Sequence, residues 1–143
     1  MAAPARFFWM VLGAVSICFH LGLIFSGLVP NLLSRPLHMA LALPWVFLFT
    51  AKSRPDIITG AFFTLAGLAA SLYVATNESA LSDQYGFLTS NLQIVIGFTL
   101  LFVTLEMARR AVGWPLPMVA FITLLYGFFG QYLPGEFGHP GIP

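Results

Sequence analysis

The chain has 143 residues, 59% of them apolar and 8% charged, with six basic and five acidic side chains and a net charge of +1. A soluble domain of this length carries about 36 charges, roughly 25% of its residues, so an ordinary water-soluble globule is excluded and lipid is the expected solvent. The near-neutral balance excludes a basic field for nucleic acid, and a single cysteine, Cys18, excludes an internal disulfide and a Cys-based metal site.

A bilayer core of about 30 Å takes about 20 helical residues to cross, and five apolar runs approach that length. The first spans residues 7–29 and ends at Pro30-Asn31. Arg6 precedes it like the start of a secretory signal, but the run is long and lacks a small-residue cleavage site, so an uncleaved helix is expected. The second, 36–51, lies between Arg35 and the polar turn Lys52-Ser53-Arg54-Pro55-Asp56, with Pro44 in its middle removing a backbone donor. It spans with a kink or dips and returns. The third covers 57–75 and stops at Thr76-Asn77-Glu78. Residues 76–91 read as a loop or a short surface helix. The fourth covers 91–112, with Glu106, Arg109 and Arg110 in its last turns. The fifth starts at Trp114-Pro115-Leu116-Pro117, where proline suits a first turn, and covers 115–133.

The expected fold is an all-α integral membrane bundle, one membrane domain over 1–143. It has about five transmembrane helices, four if the second run is re-entrant, and an extracytoplasmic tail over 134–143. Arg6, Lys52, Arg54, Arg109 and Arg110 fall on one side when five helices cross and the N-terminus is inside, leaving Arg35 outside. If the second run does not cross, an outward N-terminus gives the same ratio. Both arrangements put the acidic 78–90 loop and the C-terminus outside.

Ionisable groups within a membrane are candidates for function. His20 and His38 lie in the first two runs. Counted from the expected outer ends, their depths differ by roughly 9 Å, which argues against a haem pair and for a histidine packed between helices with one ring nitrogen bonded to a backbone or hydroxyl oxygen. Glu106 shares a helix face with Arg109 and Arg110, three and four residues on, in the favourable order for an ion pair. The expected reading is a cytoplasmic anchor that neutralises its own acid, and the competing one is a proton-relay carboxylate. Gly60 with Thr64, and Gly67 with Ser71, set small residues four apart on the third helix, a spacing that allows close packing. No nucleophile, base and orienting group occur together and no phosphate loop is present, so no enzyme, cofactor or metal site is expected. Asn77-Glu78-Ser79 fits a glycosylation sequon, a match too short to carry weight.

From Leu105 the sequence reads Leu105-Glu106-Met107-Ala108-Arg109-Arg110, then Gly113, Leu116-Pro117, Tyr126-Gly127-Phe128-Phe129-Gly130, Tyr132-Leu133-Pro134-Gly135, His139 and Gly141. This resembles the LE-x-x-RR...G...LP...Y-x-x-F-G-x-YLPG...H-x-G stretch of fused TRAP transporter permeases of the TAXI type. Leu37-His38-Met39-Ala40 and Tyr73 resemble earlier landmarks of that family more weakly. The Pro140-Gly141-Ile142-Pro143 ending departs from the pattern.

The resemblance implies a secondary transporter of the bacterial inner membrane. In it, an extracytoplasmic TAXI-type solute-binding protein delivers a small organic anion to a permease driven by a sodium or proton gradient. The large permease region carries the substrate and coupling-ion sites, and the small N-terminal region braces it. This chain matches the brace, either as a separate small subunit or as the front of a fused protein. Glu106, Arg109, Arg110, Gly113, Pro117, Gly130, Pro134, Gly135 and His139 are then structural or subunit-interface candidates. The midplane of the runs, nearly all Leu, Ile, Phe, Ala and Gly, agrees, since transport sites show polar, broken helices at that depth. The alternative is a stand-alone small oligomeric transporter or channel using Glu106.

Overall fold

The computed structural model describes residues 3–27 and 29–140, with side chains from Arg6 onward. Among them every regular element is helical. The helices are α1 (Ala3–Ser26), α2 (Asn31–Pro44) with a π-helical extension (Trp45–Phe49), α3 (Arg54–Thr76), the short α4 (Glu78–Ser82), α5 (Asn91–Val112) and α6 (Pro115–Phe129). The membrane domain expected over 1–143 divides into two compact units, Met1–Val103 and Thr104–Pro143, and α5 runs through the division.

Among the described residues, four helical stretches are long and apolar enough to cross a bilayer: Arg6–Ser26, Asn31–Phe49, Arg54–Thr76 and Asn91–Val112. Of the five expected runs, the fifth forms the shorter helix α6. Residues 31–49 reach spanning length because the helix starts five residues before the expected position and continues beyond Pro44. Pro44 cannot donate to Ala40, and the chain takes up a wide π turn from Trp45 to Phe49 instead of breaking. By contrast α6 has 15 residues, about 22 Å at 1.5 Å each, short of the hydrocarbon thickness. It gives way at Gly130 to a 3-10 turn, Gly130–Tyr132.

Local chemistry sets the helix ends. Ser53 precedes α3 and accepts from the Asp56 amide (3.3 Å) while its hydroxyl donates to the Asp56 carboxylate (2.6 Å), with Pro55 in the first turn. Ser90 and Gln93 cap α5 in the same way: the Gln93 amide donates to Ser90 Oγ, and Gln93 Oε1 accepts from the Thr89 amide at 2.8 Å. Gly113, at φ +88°, ends α5 with its amide on the Arg109 carbonyl.

In the first unit, α3 packs along α2 and its π segment. The small residues of α3 form the contact: Gly60, Thr64, Gly67, Ala70 and Ser71 are buried. A Cβ at Gly67 would come within 2.7 Å of Leu43 and 2.9 Å of Val103, so the glycine lets α2 and α5 approach α3 together. Phe47 stacks on Phe63 with ring centroids 5.5 Å apart. On the other side, Trp45 and Phe49 meet Trp9 of α1, each at 5.0 Å.

Candidate functional site

The second unit holds the sequence-predicted residues in two clusters. At the end of α5, Arg109 grips Glu106 in a two-point fork, Nε to Oε2 at 2.6 Å and Nη2 to Oε1 at 2.7 Å. Arg110 Nε donates to Oε1 at 2.7 Å. Both carboxylate oxygens thus accept charge-assisted bonds, and the side chains are only partly exposed. Arg109 also lies over the Trp114 ring, 5.5 Å from its centroid. Gly113 makes the intervening left-handed turn, and Pro117 is buried in the first turns of α6. The local spacing of three and four residues already required this cluster.

The second cluster closes the other end of α6. His139 folds back so that Nε2 faces the Tyr126 carbonyl at 3.0 Å and Nδ1 faces the Pro140 carbonyl at 2.9 Å. Tyr126 Oη donates to the Phe137 carbonyl at 3.0 Å. Gly130 is the floor: a Cβ there would fall 2.6 Å from the His139 ring. Pro134 and Gly135, the latter at φ +74°, make the exposed bend that returns the chain. Carbonyl oxygens only accept, so the ring satisfies both as an imidazolium. The Pro140 carbonyl first, then that of Tyr126, raises the His139 pKa above the ordinary histidine value. Of the expected 134–143 tail, residues 141–143, including Gly141 of the family-like pattern, lie outside the described residues.

One expectation from the sequence is overturned. His20 and His38 are neighbours: His20 Nε2 and His38 Nδ1 are 2.5 Å apart and the ring centroids 4.2 Å. The depth count failed because α2 begins at Asn31, ahead of Arg35 and Pro36. His20 therefore lies about 9 Å before the end of α1 and His38 about 10 Å after the start of α2, which is the same level. His20 Nδ1 faces the Ser16 carbonyl at 2.5 Å and so must be the donor there. With a neutral pair, His20 Nε2 accepts from His38 Nδ1–H. The facing nitrogens leave no room for an ion between them, since metal–nitrogen bonds of about 2 Å on each side need more. Among the described residues no three His, Cys, Asp or Glu side chains come together as a metal site.

The first unit holds a cleft of about 500 Å³ walled mainly by apolar side chains, with Tyr73 and Gln93 among its few polar ones. A smaller cleft of about 310 Å³ is lined by Leu23, Ser34, Arg35 and His38. Among the described residues, the buried hydroxyl Ser71 Oγ has no hydrogen-bond partner. Compared with known families, curated proteins and solved structures, the chain matches none.

Proposed function

We propose that this chain is the small scaffold component of a TRAP-type (TAXI) secondary transporter, which takes up small organic anions with a binding protein and an ion gradient. The observation that carries the reading is where the apolar surface lies. Among the described residues four helices have spanning length and composition, yet the buried hydrophobic core is only Leu43, Phe47, Ala70 and Val103. Large apolar side chains stand exposed along α1, α3, α5 and α6, a surface suited to lipid and to a larger helical partner. The motif running from Leu105 to His139 supplies the choice of family, and the large permease region is the expected partner.

Glu106 bears on the alternative. A relay carboxylate has to exchange its proton, whereas both oxygens of Glu106 are held by Arg109 and Arg110. That favours an anchor at the end of α5. The reading assigns no catalysis to this chain and places substrate and coupling-ion binding in the partner.

The test is coexpression with a large multi-helix TRAP-type permease. The tagged small chain should bring the permease down in fixed ratio, and the small chain alone in liposomes should move no organic anion. Transport by the purified small chain would refute the proposal.

A further inference from the structure

At the membrane edge where α1 ends and α2 begins, unused polar groups converge on one cleft. Arg35 and Ser34 lie in the first turns of α2, and both line the cleft of about 310 Å³ with Leu23 and His38. Among the described residues, neither the Arg35 guanidinium nor the Ser34 hydroxyl has a hydrogen-bond or ion-pair partner, the Ser34 amide being engaged by the Pro30 carbonyl. The His20 contact occupies His38 Nδ1, which leaves Nε2 for an occupant and, in the neutral tautomer, makes it an acceptor. Arg35 is about 6 Å inside the start of α2 by residue count, so its side chain reaches headgroup level. Directly after the cleft residue Leu23 in the chain, Ile24 and Phe25 of α1 are among the most exposed apolar side chains, at 74% and 86%.

We propose that this cleft binds the headgroup of an anionic phospholipid carrying a free hydroxyl, as phosphatidylglycerol does. Arg35 and Ser34 donate to the phosphate oxygens, the headgroup hydroxyl donates to His38 Nε2, and the acyl chains run along the end of α1. The arrangement uses each group according to its chemistry: a guanidinium fork matches a phosphate, and a neutral imidazole nitrogen needs a donor. A free phosphate would use only the polar half of the site, which is why the lipid is the assigned occupant. The proposal rests on the membrane-spanning reading but not on a partner.

The test uses the full chain in mild detergent, stripped of lipid and reloaded, with bound lipid counted by native mass spectrometry. Phosphatidylglycerol should be retained in preference to phosphatidylcholine. Arg35→Gln should lower its retention about tenfold, Arg35→Lys by less, and Arg54→Gln, at the other end of the hairpin, should leave it unchanged. Arg35 is exposed, so these variants should keep wild-type helicity. Equal retention of phosphatidylcholine, an equal loss in Arg54→Gln, or no loss in Arg35→Gln would overturn the assignment. Displacement of the lipid by soluble glycerol phosphate at matched concentration would also overturn it, in favour of a soluble anion. If the chain failed to capture a permease, the scaffold reading would fall while this measurement kept its meaning.

Discussion

Replacing Gly67 by Ala tests the packing of the first unit at its tightest point. The new Cβ would sit 2.7 Å from Leu43 Cδ1 and 2.9 Å from Val103 Cγ1. Carbon atoms settle at about 3.5–4.0 Å, so the shortfall is about 0.6–0.8 Å against two neighbours at once. Leu43 and Val103 are 0% and 2% exposed, so neither moves into open space. Overpacking of this kind costs about 1–3 kcal/mol. Alanine also gains up to about 1 kcal/mol over glycine in helix propensity, which would mask part of the cost. Gly97→Ala on α5 removes that ambiguity, because nothing lies within 4 Å of a Cβ there and the propensity gain acts alone. The difference between the two variants therefore isolates the clash, at roughly 5- to 160-fold in the unfolding equilibrium. Titration with SDS from mild detergent micelles, followed by tryptophan fluorescence and helicity, measures it. Equal midpoints for Gly67→Ala and Gly97→Ala would refute the close approach of α2 and α5 to α3.

The same titration addresses three further sites. Ser71→Ala removes a buried hydroxyl without a partner and should be neutral or stabilising by about 1 kcal/mol; a loss of more than that would mean the hydroxyl has a partner in the membrane. Glu106→Ala removes three charge-assisted bonds and should cost about 1–3 kcal/mol, less than their sum because the arginines are partly exposed. Glu106→Gln should cost less, and unchanged midpoints in both would show the ion pairs to be dispensable. Trp45→Ala opens the cluster with Trp9 and Phe49 and should loosen α1 while leaving the contact of α2 with α3; loss of the whole transition would contradict that division. At His139 the sign follows from a raised pKa: the fold-back gains stability that is complete below the ordinary histidine value of about 6.5 and is lost as pH rises through the raised value. Hydrogen exchange at the Gly138 amide, corrected for its intrinsic rate, should be slower at acid than at alkaline pH, and His139→Gln should abolish the difference.

Glu106 and its arginines were legible in the sequence because partners three and four residues apart share a helix face whatever surrounds the helix. The ends of α3 and α5 were nearly so, since Ser53-Arg54-Pro55-Asp56, Ser90-Asn91-Leu92-Gln93 and Gly113 act within one turn. The close-packing face of α3 was visible as a spacing of small residues, though its partners Leu43 and Val103 were not. Gly130 and His139 stood in the same motif with no stated relation; their contact appears only when the tail bends at Pro134 and Gly135.

Composition by itself determined that the helices are apolar enough to cross a bilayer, because so few charges are spread over so apolar a chain, and residue spacing determined each helix as an isolated object. Tertiary structure decided the rest. It set how far α2 extends through Pro44, why α6 stops short, and above all that His20 and His38 meet. Depth in a membrane depends on where the connecting turn places the next helix, and that is a property of two packed helices rather than of either sequence alone.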